Sequence, residues 1–419
     1  MPTYSGKFHY SSDPHREGPC TLTFTAETCT LTPASGTPIA FDLGDVDVAE
    51  KHDWDLVLTL FTGRHLTLRQ FGPKFDDMTR EFIAAWHDRT LRCLLLEDLA
   101  PVAAYTCSAA VAPAAPMPAE VRLFKSNIAI LPLAADSYQW RLAAVDNISF
   151  DPEAYAVTLA SAAERLVITK LGRKTDEFRE RLQEQFDTLR SHSAEVLHAT
   201  FPFLDPDHLS QLLEAMPEGR SVSIAKLVRI HPKLVDAIEQ QAVSERLRPY
   251  YDELRKRSLS GSIMVGYKFI REDEVEEAGD QPADEQQTSE DETQAGEEKA
   301  PLFFWFFFPL IRPDGRHSGI AAWEAATGSG RATYFFRTGQ AGESPEHVER
   351  AIERLTTGLA LINFRREPIY LDETSPKFRR YAIGARKLVE LRDLRAAYTG
   401  RALHTTLEAW LDQLPRVQT

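Results

Sequence analysis

Cysteine is scarce in this sequence, and none of it is spaced for redox or metal chemistry. The chain of 419 residues has four scattered cysteines and no CxxC pair: Cys20, Cys29, Cys93 and Cys107. A chain of this length can bury enough apolar surface to fold without disulfides. We therefore expect reduced thiols and a cytoplasmic location. The N-terminus agrees with that location, because it lacks the charged start and apolar stretch of a signal peptide.

The short motifs that carry catalytic chemistry are also missing. The sequence contains no HExxH, P-loop, GxGxxG or GxSxG pattern. Its twelve histidines are spread out, and a histidine beside an acid, as in His52-Asp53, has neither metal-ligand spacing nor a nucleophile next to it. Acidic runs such as Glu272-Asp-Glu lack the glycine and fixed spacing of a calcium loop. We therefore predict no enzyme, no cofactor and no metal site.

No hydrophobic run is long enough to cross a membrane as a helix. The most apolar stretch, Leu302 to Ile311, has about ten residues where a membrane helix needs about twenty. It includes six consecutive aromatic residues, Phe303 to Phe308. Alternate residues of a strand point to opposite faces, so this run predicts a strand covered on both sides. If the aromatic residues were exposed instead, they would suit a membrane-surface adaptor.

Positive charge is in short supply except near the C-terminus. The formal net charge is −14, and residues 271–300 alone hold 13 acidic and 2 basic side chains. A general nucleic-acid binder needs a clustered excess of lysine and arginine, which occurs only in 364–401. Within it, Arg379, Arg380 and Arg386 are the candidate contacts for a nucleic acid. The simpler interpretation is a solvated helix face.

The acidic tract 271–300 has no aromatic residue and almost no aliphatic one. Such a segment buries too little apolar surface to offset the entropy of ordering, so we expect a disordered insertion. It could be a solubilising spacer, a competitor of an anionic ligand for the basic C-terminal surface, or a contact for a basic partner.

An internal repeat relates the first 95 residues to the next hundred. A shift of 99 residues, which becomes 100 after one inserted residue, places apolar residues on apolar residues throughout. The aligned pairs include Phe24 with Leu123, Leu31 with Ile130, Val46 with Val145, Leu66 with Leu166, Gly72 with Gly172 and Trp86 with Phe186. Both copies show short alternating strands, such as Leu56–Leu60, followed by one amphipathic helix.

Six or seven short antiparallel strands ending in one helix resemble the pleckstrin-homology-like (PH-like) superfold, and the pair resembles tandem PH modules. The resemblance covers Met1 to about His198 and implies β-barrels that bind a peptide strand or helix in a groove beside each capping helix. The candidate partner-binding grooves lie near Trp86 and Phe186. Phosphoinositide-binding members carry several cations on their first strands, whereas copy one offers Lys7, His9, His15 and Arg16, and residues 100–120 hold none. An inositol-lipid ligand is therefore not expected.

The full domain prediction is an α+β chain of four parts. Residues 1–98 and 99–198 are PH-like barrels, hereafter copy one and copy two, and 199–260 is a helical connector. Residues 261–419 form a C-terminal antiparallel sheet with helices, interrupted by the acidic insertion. A loose echo of Trp54, Gly63 and Gly72 in this last part leaves open a third, degenerate copy.

The leading functional hypothesis is a non-enzymatic, cytoplasmic, bacterial scaffold or protein-binding protein with an unknown protein partner. A nucleic-acid-associated or histone-chaperone-like factor is the first alternative, because of the acidic tract and the basic C-terminal surface. The membrane-surface adaptor is the second. The sequence determines neither the partner nor the oligomeric state.

Overall fold

The computed structural model describes residues 3–11, 16–94, 96, 100–161, 164–269, 302–326 and 332–415. The predicted acidic insertion 271–300 lies outside these residues. The chain divides into two compact units. The N-terminal unit comprises Met1–Asp187 and Leu361–Arg392, and the C-terminal unit comprises Thr188–Ala360 and Asp393–Thr419.

Copy one forms a seven-stranded antiparallel sheet followed by a long helix. The strand order is β4-β3-β2-β1-β7-β6-β5. Apolar residues alternate along each strand, and the inward ones, such as Leu22, Leu58 and Leu66, are completely buried. The elements are β1 (Thr3–Tyr10), β2 (Arg16–Phe24), β3 (Thr28–Pro33), β4 (Ile39–Asp42), β5 (Val46–His52), β6 (Asp55–Leu60), β7 (His65–Arg69) and α1 (Phe75–Cys93).

Copy two repeats this arrangement with the same strand order, β11-β10-β9-β8-β14-β13-β12. Its elements are β8 (Ala103–Val111), β9 (Met117–Leu123), β10 (Asn127–Pro132), β11 (Tyr138–Arg141), β12 (Asn147–Asp151), β13 (Ala156–Ala160), β14 (Arg165–Thr169) and α2 (Thr175–Thr200). The junction before each helix has the same backbone. Gln70 and Lys170 both have φ of 58°, and Gly72 and Gly172 both have φ of 61°. The repeat seen in the sequence is therefore a repeat of backbone conformation.

Charged side chains of α1 and β9 link the two copies within the N-terminal unit. Glu120 of β9 lies 3.2 Å from Nδ1 of His87, which is almost fully buried. Arg122 donates to Glu120 and, at 2.6 Å, to Asp88. The two predicted domains thus belong to one compact unit.

The C-terminal unit is built on a six-stranded antiparallel sheet with the order β15-β16-β17-β18-β19-β20. Its order differs from that of the two seven-stranded sheets, so the described strands do not form a third copy. The strands are β15 (Ser221–Ser223), β16 (Met264–Phe269), β17 (Leu302–Ile311), β18 (His317–Ala326), β19 (Ala332–Arg337) and β20 (Tyr398–Leu403). The helices around it are α3 (Pro206–Ala215), α4 (Ile224–Ile230), α5 (Leu234–Ala242), α6 (Arg248–Lys256), α7 (Pro345–Leu361) and α11 (Leu407–Asp412). Between α7 and α11 in the chain lie helices α8 (Glu367–Tyr370), α9 (Ala382–Lys387) and α10 (Val389–Ala397).

The stretch 199–260 differs from the separate connector that the sequence analysis expects. Its strand β15 pairs with β16 and so belongs to the C-terminal sheet. Leu227 and Leu254 are completely buried in the same core as Phe304. Amphipathic helices bury one face wherever an apolar surface is available, and here the sheet supplies that surface. The predicted boundary at 260 is therefore not a break in packing.

The aromatic run of β17 is buried on both faces. On one face Trp305 and Phe307 are 0 % exposed, and on the other face Phe304 is 1 % exposed. The interpretation as a core strand is confirmed, and a membrane-surface role cannot rest on these side chains. Among the described residues, no helix is long and apolar enough to span a membrane. The four cysteines are buried free thiols.

Candidate functional site

The two aromatic residues predicted to mark binding grooves are parts of buried cores. Trp86 is 1 % exposed, and its indole nitrogen donates to the carbonyl of Val46 at 3.0 Å. Phe186 is also buried. Both lie on the helix face that packs into the sheet, so neither ring is available to a partner. A partner could contact only the rim of the groove beside Trp86.

The rim is formed by the last turns of α1 and by a 3-10 turn, Leu43–Asp45, between β4 and β5. Asp42 fixes this turn by accepting a hydrogen bond from the backbone N–H of Gly44 at 2.8 Å. Arg89 of α1 holds the same carboxylate with two hydrogen bonds of 2.8 Å. The turn and the helix are thereby held rigidly together. We call the surface formed by the 3-10 turn and the last turns of α1 the copy-one groove.

This groove is filled by a distant part of the same chain. Residues 361–392 contain three short elements, α8 (Glu367–Tyr370), a 3-10 turn (Pro376–Arg380) and α9 (Ala382–Lys387), and lead into α10 (Val389–Ala397). Helix α9 and its flanking residues Tyr381 and Leu388, together called segment 381–388, pack against the groove.

Two glycines allow the close approach of segment 381–388. A Cβ atom on Gly44 would lie 2.7 Å from Cδ1 of Ile383. On the other side, a Cβ atom on Gly384 would lie 2.6 Å from the carbonyl oxygen of Cys93, the last residue of α1. Both distances are shorter than van der Waals contact. Each surface is therefore shaped for the other by the absence of a side chain.

Charge complements this fit. Arg386 donates to the carboxylate of Asp45 at 2.9 Å and to the carbonyl of Gly44 at 3.3 Å. Its guanidinium carbon lies 3.8 Å from the ring centroid of Phe61, within the range of a cation–π contact. Lys387 donates to the carbonyl of Val46 and lies 3.5 Å from Asp47. Burial lowers the pKa of Lys387, while the Asp47 carboxylate opposes that shift.

Very little space remains inside the filled groove. A residual cavity of about 10 Å³ is lined by Asp47, Trp86, Thr90, Cys93, Leu94, Asp136, Ser137 and Lys387. This volume holds about one water molecule. Beside Lys387, the segment therefore leaves room for little more than one water molecule.

Copy two anchors the chain where it enters this region. The amide nitrogen of Gln139 in β11 donates to the carbonyl of Leu94 at 2.9 Å and to that of Leu361 at 3.2 Å. Its amide oxygen accepts from Asn127 at 3.0 Å. One buried glutamine thus joins the end of α1 to the start of 361–392.

The three arginines proposed for nucleic-acid binding have different surroundings. Arg386 is held in the copy-one groove by Asp45. Arg380 is paired with Glu367. Arg379 is exposed. Two of the three guanidinium groups therefore already have carboxylate partners within the N-terminal unit.

Copy two has a different surface at the equivalent rim. Ala143 and Ala144 stand where copy one has Gly44 and Asp45, 99 positions earlier. Elsewhere on copy two, a shallow recess of about 500 Å³ is lined by Ala154, Tyr155, Thr169, Lys170, Gly172 and Thr175. Tyr155 there is 64 % exposed, much as Trp54 is 63 % exposed in copy one. Each aromatic residue belongs to the hairpin between the fifth and sixth strands of its copy.

The C-terminal unit contains a buried polar cluster that the sequence analysis missed. The Thr333 hydroxyl donates to Glu324, which is fully buried, at 2.6 Å and lies 3.0 Å from Nε2 of His404. The Trp410 indole donates to the same hydroxyl at 3.0 Å, and Tyr250 stacks on His404 at 4.2 Å. The cluster ties the last strand and helix to the sheet. Across the described part of the chain, no three His, Cys, Asp or Glu side chains could hold a metal ion.

Comparisons with known proteins add little. No family model and no curated protein matches the chain. A solved structure, the C-terminal domain of an unknown protein from Leishmania infantum, is similar to part of it, with 12 % sequence identity and a TM-score of 0.21. The match covers 23 % of this chain and 94 % of that one. A likeness at that score supports no conclusion about fold or function.

Proposed function

We propose that this chain is a non-enzymatic protein-binding protein of the scaffold type, whose two seven-stranded sheets are PH-like modules. Two features support the fold assignment: each sheet is followed by a single long helix, and the strand order is the same in both copies. Modules of this kind bind peptides beside the capping helix. The copy-one groove is the binding surface.

One observation carries the proposal: the copy-one groove already holds a peptide segment by shape and charge together. Ile383 seats on Gly44, and Arg386 reaches both a carboxylate and a backbone carbonyl. A linear segment recognised through side-chain pockets and exposed backbone acceptors is how peptide-binding modules work. A surface that binds a segment in cis has the chemistry to bind one in trans.

The test is binding of a fluorescein-labelled peptide of residues 378–390 to the full chain carrying Gly384→Ala, which cannot seat its own segment. We expect saturable binding by fluorescence anisotropy that weakens with added salt, because the contacts are ionic. The matched control peptide carries Gly384→Ala and has the same length and charge. If neither peptide binds, the groove is not a peptide-binding surface and the proposal fails.

The nucleic-acid-associated alternative needs Arg379, Arg380 and Arg386 to be free for phosphates. Asp45 and Glu367 hold two of them, so the described structure does not favour it. Retention of the wild-type chain on DNA that falls steeply with salt would restore this alternative.

A further inference from the structure

We infer that segment 381–388 is an internal ligand that closes the copy-one groove, and that the partner is a protein bearing a short basic segment of the same chemistry. That chemistry is an aliphatic residue, a glycine, one spacer residue and two cations. The partner segment must displace the internal one. This inference rests on the proposed function, because it names the partner and the regulation of the same groove.

The shape of the copy-one groove requires a glycine at the position of Gly384. The atom nearest to a Cβ on Gly384 is a backbone oxygen, that of Cys93, at 2.6 Å. A backbone atom at a helix end cannot rotate away as a flexible side chain can. Any occupant therefore needs a residue without a side chain at this position. The preceding aliphatic residue is selected by Gly44, whose bare Cα lies under Ile383.

The charge of the groove rim requires basic residues at the positions of Arg386 and Lys387. The rim presents the carbonyl oxygens of Gly44 and Val46 and the carboxylates of Asp45 and Asp47. An acidic occupant would bring like charges together and leave these acceptors unpaired, which is costly in a partly buried site. Phe61 adds an exposed aromatic face for a guanidinium group. A basic segment is the only charge class that satisfies all of these groups.

The internal segment is replaceable. Its helix has six residues, Ala382–Lys387, which is too short to be stable in isolation. Ile383 and Arg386 are only half-buried in the groove, and the Lys387 side chain keeps 13 % of its surface exposed. The copy-one core consists of residues from the sheet and α1 together with Leu43 and Phe71, with Leu133 against it, and no residue of segment 381–388 belongs to it. Undocking the segment would therefore leave the copy-one sheet folded.

The experiment compares peptide 378–390 binding to three full-length proteins: wild type, Gly384→Ala and the exposed control Ala382→Ser. We expect Gly384→Ala to bind at least about tenfold more tightly than the other two, since the apparent affinity of a partly closed groove is the intrinsic affinity multiplied by the fraction of molecules in which it is open. A second opening variant, Arg386→Glu, sets a carboxylate against Asp45 and should show the same gain. Circular dichroism checks that each variant is folded.

Other outcomes would overturn the inference in distinguishable ways. Equal binding to wild type and to both opening variants would show that the groove is not closed, while leaving the proposed function intact. If the peptide binds to none of the proteins, both the inference and the proposed function fail. A wild-type dimer by light scattering that is lost in Gly384→Ala would identify the occupant as a second copy of this chain instead of a different protein.

Discussion

Arg386 donates a hydrogen bond of 2.9 Å to Asp45, a residue 341 positions earlier in the chain. Both side chains are less than one-third exposed, so water screens the pair only in part. The contact brings a short C-terminal helix against the turn between β4 and β5.

The Arg386 pair contributes to docking of segment 381–388. Arg386→Gln and Asp45→Asn should each make the segment more sensitive to limited proteolysis and cost about 1 kcal/mol. In a double-mutant cycle the two effects should not add, because each substitution removes the same interaction. Fully additive effects would show that the two residues act independently.

Gly44 and Ile383 should show compensating substitutions. Gly44→Ala places a methyl group 2.7 Å from Cδ1 of Ile383. Ile383→Ala alone removes apolar contact worth about 1 kcal/mol. The double substitution should be more stable in urea than the sum of the single effects predicts, by about 1 kcal/mol. The matched control is Ala143→Gly combined with Ile383→Ala, where no coupling is expected.

Glu120 should make the N-terminal unit sensitive to acid. Burial alone would raise the pKa of Glu120, but hydrogen bonds from His87 and Arg122 outweigh it and hold the pKa at about 2. Since this pKa is below the unfolded value, the stabilisation is present above about pH 4.5 and is lost as the pH falls towards 2. Glu120→Gln should remove about 2 kcal/mol at pH 7 and flatten the stability profile between pH 2 and 4.5. An unchanged profile in urea titrations would contradict this.

Thr333 should be essential to the buried cluster of the C-terminal unit. Thr333→Val leaves both the Trp410 indole and Glu324 without their shared hydroxyl, and an unsatisfied buried polar group costs about 1–3 kcal/mol. We expect a loss of about 3 kcal/mol in urea unfolding. Thr333→Ser keeps the hydroxyl and serves as the control; an equal loss in both variants would assign the effect to packing.

The sequence predicted the repeated sheets because buried apolar residues recur at matching positions about 100 residues apart. It missed how the register changes. The turn between β5 and β6 has two residues after His52 pairs with Asp55, whereas the matching turn between Asp151 and Ala156 has four. The next turn is one residue shorter in copy two. These changes combine to the single inserted residue seen in the sequence, and turns carry no burial pattern that would separate them.

The sequence did not predict that segment 381–388 occupies the copy-one groove, for a different reason. Gly384 and Arg386 were part of a basic run that fits any solvated helix face, and a glycine contacting a backbone oxygen leaves no periodic signal. The helices of 199–260 likewise showed an apolar face without showing what covers it. Periodicity reports that a face is buried, and only the fold determines the surface against which it packs.

The stretch Leu361–Arg392 leaves the C-terminal unit and returns to it, so it is tethered at both ends. Tethering of this kind gives an effective local concentration on the order of millimolar. A free competitor must overcome that advantage through additional contacts or through its own multivalency. The threshold for engagement is therefore determined by the chain connectivity as well as by the few side chains that line the surface.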